Sequence, residues 1–504
     1  MFKKYSIVAL LLFVISIGKI NSQQLYHELY RPQFHFSPKS NWMNDPNGMF
    51  YYKGVYHLFF QYYPDKPVWG PMHWGHATSK DLIHWKELPI ALYPDSLGYI
   101  FSGSAVVDSN NTSGFGKKGQ IPFIAIFTHH NTVAERNGKN NFQNESIAYS
   151  LDEGNTWIKY AGNPVLKNPG ITDFRDPKVM WFEKDKKWIM SLATKDHITF
   201  YSSKNLKDWS KESEFGKEFG AHGGVWECPD LFSLNYEGKN IWVLFVSINP
   251  GGPNGGSATQ YFTGNFDGHT FKPFQTDTRW IDYGKDDYAG VTWSNTGKRK
   301  IFLGWMSNWQ YGEKVPTEKW RSTNTVPRSL SLQKIGEKYF LTAQPVKELD
   351  NLIIKTKLIR NAKASNLNLT DSISDFNGMA KLKLTADKLD NFSLIFSNDN
   401  DEKLIIGYDK QANNYYIDRT YSGIVDFQKD FIDKSVAPRI SNKTNMNISV
   451  IIDKTSIEFF ADNGLSVMTS IFFPKKPFKK IQINSPNGLL LKTIEYSGMN
   501  SIWK

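Results

Sequence analysis

Three acidic residues stand at matching places in a repeated pattern. Asp45 precedes Pro46, Asp176 precedes Pro177, and Glu227 precedes Cys228-Pro229. Carboxyl groups gathered at one point can do nucleophilic and acid–base work, one ionised to attack and another protonated to donate. Three together repel one another, so one of them is expected to hold its proton near neutral pH. A protonated acid beside an ionised one is the arrangement that glycoside hydrolysis uses. A plainer account exists for Asp45, because Asp45-Pro46-Asn47-Gly48 is also a strong turn sequence.

The elements that would gather these acids form an internal repeat. Each acid opens a strand-like run, then a polar turn, then an apolar run: "VYHLFFQ" after Lys53-Gly54, "WIMSLAT" after Lys184-Asp185-Lys186, "IWVLFVS" after Glu237-Gly238-Lys239. Two looser copies are "SGSAVVD" before "PFIAIFT" and "DYAGVTW" before "IFLGWMS", so five units begin near residues 45, 104, 176, 228 and 288. A second signature, a polar turn closed by Trp, recurs as "SKDLIHW", "SLDEGNTW" and "SSKNLKDW". Repeats of this length, built from short strands without helical periodicity, predict the blades of a β-propeller. Five units predict five blades, whose first strands face a central channel, and residues opening each unit then converge on its axis.

Beyond Ala343 the composition changes. Trp nearly disappears, and alternating runs such as "NFSLIFS", "KLIIGYD", "NYYIDRT", "NISVIID" and "SIEFFAD" predict strands. The expected architecture is all-β, a five-bladed β-propeller over residues 25–342, a linker over 343–355 and a β-sandwich over 356–504. Residues 1–22 resemble a secretory signal, with Lys3 and Lys4 before an apolar stretch from Ile7 to Ile17. That stretch is too short to span a bilayer, and no later segment is apolar enough, so a secreted or periplasmic chain without a membrane span is expected.

The 504 residues contain one cysteine, Cys228, so no intrachain disulfide can form and stability must come from core area. The net charge of +11 is spread over scattered basic residues rather than a patch, and no nucleic-acid partner is expected. The His pairs His129-His130 and His73/His76 lack the spacing of a zinc motif. "PGGPNGG", from Pro250 to Gly256, lacks the Lys-Ser/Thr of a phosphate loop and is expected at the surface, as a candidate rim of the active-site mouth.

WMNDPNG, "FSGSAVVD", "FRDPKV", "WECPDLF" and "GWMSNWQY…PTEKWRS" together resemble the ordered motif set of glycoside hydrolase family 32, from about His27 to the C-terminus. The resemblance implies a β-fructofuranosidase of the invertase, inulinase or levanase type. It implies Asp45 as nucleophile, Glu227 as general acid/base and Asp176 as transition-state stabiliser. It implies Asn44, Gln61, Trp69, Ser102, Gly103, Arg175 and Trp309 as contacts to a terminal fructose. The partner is then a fructan or sucrose, and the scheme requires neither metal nor cofactor. "DDYAG", Asp286 to Gly290, resembles the motif of exo-acting members, which favours exo-hydrolysis. A fructosyltransferase, an endo-fructanase and an inactive fructan-binding protein are the alternatives.

Overall fold

The computed structural model describes residues 25–117, 119–373 and 376–503. The leader call on residues 1–22 lies outside them. Five antiparallel sheets of four or five strands come first in the chain, and two six-stranded sheets follow. The innermost strands of the five sheets are Asn41–Tyr52, Tyr99–Val107, Phe174–Phe182, Val225–Tyr236 and Tyr288–Thr292, here blades I to V. Each packs against the next, and the fifth packs against the first, so the ring is closed. A short strand, Trp320–Arg321, pairs in parallel with Asn41–Trp42 and ties the end of the wheel to its beginning. The five units anticipated in the sequence are these five blades.

All five inner strands carry the same irregularity near their start. Two residues oppose one partner at Asn44-Asp45 against Gln61, Phe101-Ser102 against Thr128, and Asp176-Pro177 against Leu192. The same occurs at Cys228-Pro229 against Val246, and at Ala289-Gly290 against Gly304. These are β-bulges, where a ladder hydrogen bond is already lost and proline is tolerated for that reason. Asp176, Cys228 and Ala289 adopt positive φ of 65°, 46° and 52° to make the turn. The Trp-closed turns join third strands to fourth. In each, the indole N–H donates to a carbonyl three residues back: Trp85 to Leu82, Trp157 to Gly154 and Trp209 to Leu206, at 3.0–3.1 Å.

The outermost strand of blade V ends at Pro345, a 3₁₀ turn covers Lys347–Leu352, and the sandwich opens with the strand Ile353–Lys363. Its two sheets bury an aliphatic and aromatic core between them. The strand Ile353–Lys363 lies at a sheet edge with most of its side chains in water, and its lysines and Arg360 discourage pairing with another chain.

The propeller and sandwich are joined by a buried ionic network. Fully buried Arg328 bonds Asp282 and Asp287 of the propeller at 2.9 Å, and Glu458 of the sandwich at 2.5 Å. His35 bridges Asp453 and Glu458 at 2.8 and 3.0 Å; burial pulls its imidazole down, but the hydrogen bonds and charges of the two acids outweigh it and raise it to about 9. Arg419 reaches Asp286 at 2.7 Å and the Tyr311 hydroxyl at 2.9 Å. The loop Pro250–Gly256 also faces the sandwich, where Asn254 donates to Val436 O at 2.9 Å; it is not among the residues that wall the acid cavity.

Removing one partner of a buried ion pair leaves uncompensated charge and costs about 3–5 kcal/mol. Arg328→Met strands three carboxylates, so its urea midpoint and thermal midpoint should both fall sharply, whereas Arg299→Met, on an exposed pair with Glu348, should shift them little. Equal effects of the two substitutions would contradict the assignment of Arg328 as the interdomain keystone.

Candidate active site

The bulges aim their residues into one cavity of about 430 Å³ at the starts of the inner strands. Asp45, Asp176 and Glu227 all line it, with Asn44, Gln61, Trp69, Ser102, Arg175 and Trp309. Gly103 does not. It sits behind Ser102, where an added Cβ would lie 2.0 Å from Ile126 O, so its contribution is the close approach of two strands.

Asp45 is held by a chain of polarised contacts. The Trp42 indole, which can only donate, bonds Asn44 Oδ1 at 2.7 Å. That fixes the Asn44 amide with Nδ2 toward Asp45 Oδ1, at 2.8 Å. Ser102 Oγ donates to the other oxygen at 2.8 Å. Burial pushes the Asp45 carboxyl up and the charge of Glu227 adds to it, while these two hydrogen bonds favour the ionised form.

Glu227 is gripped from both sides. Arg175 donates to Oε1 through Nε at 3.1 Å and Nη2 at 2.9 Å, and the Tyr288 hydroxyl donates to Oε2. Burial opposes the charge of Arg175, but Glu227, Asp176 and Asp173 outweigh it and keep the guanidinium protonated. Burial also raises the Tyr288 phenol, with Glu227 adding to it, so this hydroxyl keeps its proton to donate.

Asp176 is buried. Its backbone N–H donates to Thr128 Oγ1 at 3.0 Å, and its Oδ2 accepts from the Cys228 N–H at 3.1 Å. Burial is the largest influence on its carboxyl. Arg175 pulls it down, Glu227 and Asp45 push it up, and it lies near 7 rather than its ordinary 3.8. This is the proton that three crowded acids were expected to retain. Cys228 Sγ lies 3.6 Å from both Asp45 Oδ2 and Asp176 Oδ2. Burial and these carboxylates hold the thiol protonated, and a protonated thiol packs and donates weakly rather than attacks.

The rim is aromatic on one side. Trp309 stacks on Trp42 with centroids 5.9 Å apart, and exposed Trp69 meets Phe101 edge-on at 6.1 Å. Gln61 is buried, yet its Nε2 has no hydrogen-bond partner among the described residues, leaving a donor for a ligand. Phe101, His130, Glu135, Phe142, Gln143 and Asp173 complete the wall; of these only His130 was noted in the sequence, as half of a pair without metal-site spacing rather than as a wall residue. His130, Glu135, Phe142 and Gln143 sit at or beside the link between two blade II strands, which has no repeat to mark it. Tyr288 did carry a signal: it opens the fifth unit, at the place the acids occupy in the others. Its neighbours Asp286 and Asp287 instead join the interdomain network.

Residues 35–345 match the model of the glycosyl hydrolases family 32 N-terminal domain, and residues 348–500 match that of the family 32 C terminal domain. The chain belongs to glycoside hydrolase family 32. It is 45% identical over 492 residues to a levanase of Bacillus subtilis, covering 95% of this chain and 72% of that protein. An extracellular exo-inulinase of Aspergillus niger is 40% identical over 501 residues, covering 92% of this chain and 93% of that protein. The crystal structure of an exo-inulinase from Aspergillus awamori superimposes with a TM-score of 0.87 at 36% identity, covering 95% of this chain and all of the other. This family 32 enzyme is thus a glycoside hydrolase with the propeller-and-sandwich architecture.

The protonation of Asp176 has a consequence for folding. The folded chain keeps its proton to about pH 7, whereas the unfolded chain releases it near 3.8. The folded state therefore binds more protons in that window, and its stability falls as pH rises from about 4 to about 7. Asp176→Asn should flatten that part of the curve of urea midpoint against pH; an identical slope in both proteins would contradict the assignment.

Proposed function

We propose that this chain is a secreted, retaining β-fructofuranosidase that removes terminal fructose from fructans such as levan or inulin, and from sucrose. The observation that carries the reading is three carboxyls in one cavity with three different environments. Asp45 is oriented by neutral donors, Glu227 lies between a guanidinium and a phenol, and Asp176 is buried and protonated near neutrality.

In this reading Glu227 first takes up a proton from solvent, and as Asp45 attacks the anomeric carbon of a terminal fructosyl unit Glu227 passes that proton to the departing glycosidic oxygen. The bond to the leaving sugar breaks as the bond to the Asp45 carboxylate forms. Glu227, left ionised, is stabilised by Arg175 and Tyr288. It then takes a proton from water, which opens the fructosyl ester, and both carboxyls return to the states from which attack began. Asp176 bonds fructosyl hydroxyls and holds the ring in place as the transition state forms. Asn44, Gln61, Ser102 and Arg175 supply polar contacts, and Trp69 and Trp309 supply flat apolar faces.

Exo-action is supported by the exo-inulinase among the relatives and by the "DDYAG" motif at Asp286 to Gly290. Secretion is supported by the leader-like start and by the extracellular exo-inulinase among the relatives.

Product time courses on levan, inulin and sucrose test the reading, run with the native enzyme and Glu227→Gln. The native enzyme should release fructose alone from the start; early oligosaccharides would mean endo-action or transfer. Glu227→Gln should lose on the order of 10²–10⁴ in rate on these substrates, and far less on a fructoside whose leaving group needs no proton. Equal losses on both would remove Glu227 as the acid.

A further inference from the structure

The inner strands run from the catalytic mouth to the other end of the channel, and a second cavity of about 410 Å³ opens there. It shares no wall residue with the acid cavity. Five residues of strand separate Asp176 from Trp181 on its wall, which is roughly 16 Å of rise.

The floor of this cavity is polar and incompletely paired. Asp230 is buried, and its Oδ2 accepts from the Thr292 N–H at 2.6 Å, Thr292 Oγ1 at 2.8 Å and Lys178 Nζ at 3.2 Å. Its Oδ1 has no hydrogen-bond partner among the described residues. The ammonium of half-buried Lys300 has neither a hydrogen bond nor an ion pair among the described residues, and burial lowers its proton affinity. The wall carries Trp181 and Trp242, both half-buried. Trp181 is held rigid by its N–H bond to Glu183 at 2.6 Å and by edge-to-face packing on Trp188 at 5.0 Å.

An unpaired carboxylate oxygen asks for a donor, and an unpaired ammonium asks for an acceptor. An anion would satisfy Lys300 but leave Asp230 Oδ1 without a donor, and an aromatic ligand without hydroxyls would satisfy neither group. A sugar hydroxyl both donates and accepts, and a sugar ring presents an apolar C–H face to indoles. We propose that the far mouth of the propeller channel is a second, non-catalytic binding pocket for one sugar unit. Its natural occupant is a fructosyl unit of the same glycan that the catalytic mouth cuts, an identification that rests on the function proposed above. The pocket would tether the enzyme to polymer without competing for the catalytic mouth.

Equilibrium dialysis of Asp45→Asn, chosen to suppress turnover, against a labelled fructan trisaccharide counts the sites. Two sites per chain are expected. Adding Lys300→Met, or separately Trp181→Ala, should weaken one of them by about tenfold or more, a change of about 1.4 kcal/mol. Lys300→Met on the native background should hydrolyse a small fructoside at the native rate, which also shows that it folds. A single site lost with either substitution would still support the pocket and place the fault in the catalytic reading. A site count unmoved by both substitutions, no binding at all, or displacement of the sugar by millimolar inorganic phosphate would overturn the proposal.

Discussion

A regular strand lining a channel turns alternate side chains toward the axis, so two adjacent functional residues cannot both face it without a fault in the ladder. The five bulges are that fault, made once per blade at the same height. They allow Asn44 and Asp45 to stand together in the wall, and they bring Asp176 and Glu227 to the same level from other blades. Holding Asp176, Cys228 and Ala289 at positive φ costs of order 1–3 kcal/mol each, which only an over-determined surrounding can sustain. The closing strand at Trp320–Arg321 and the Arg328 network supply that surrounding, since each fixes the ring from outside the site.

The same residue type meets two fates in this chain. Asp282, Asp287 and Glu458 surround Arg328 and serve as structural counterions. Asp45, Asp176 and Glu227 face the single guanidinium of Arg175, which bonds only Glu227 among them. The charge left over appears as protonation at Asp176 and as upward pressure on Asp45. Tyr288 and Cys228, both kept neutral by burial, fill the space between the acids without adding charge.

Much of this was legible in the chain because the repeat is a physical period. Five strand-opening motifs located five inner strands, and the three Trp-closed turns located the outer strands of blades I to III. The convergence of Asp45, Asp176 and Glu227 follows from that topology without knowledge of any distance. The strand Ile353–Lys363 was partly taken into a linker because an edge strand with both faces wet shows no apolar alternation. The wall from Phe101, His130, Glu135 and Asp173 was missed because it lies partly on links outside the period. Tyr288 was passed over because its neighbours are acids, although its position in the fifth unit marks it as the equivalent of the other strand openers. Asp286 and Asp287, next to it in sequence, bond Arg419 of the sandwich and Arg328 at its border rather than the acid cavity, a division that no spacing along one strand reveals.

The central claim is that Asp45 bonds covalently to the fructosyl unit, so that two displacements preserve configuration. Supplying methanol as acceptor during sucrose cleavage captures the second displacement in a product that cannot mutarotate. The account predicts methyl β-fructofuranoside by NMR, formed in proportion to methanol and abolished in Asp45→Asn. Methyl α-fructofuranoside would mean a single inverting displacement and would contradict the role given to Asp45.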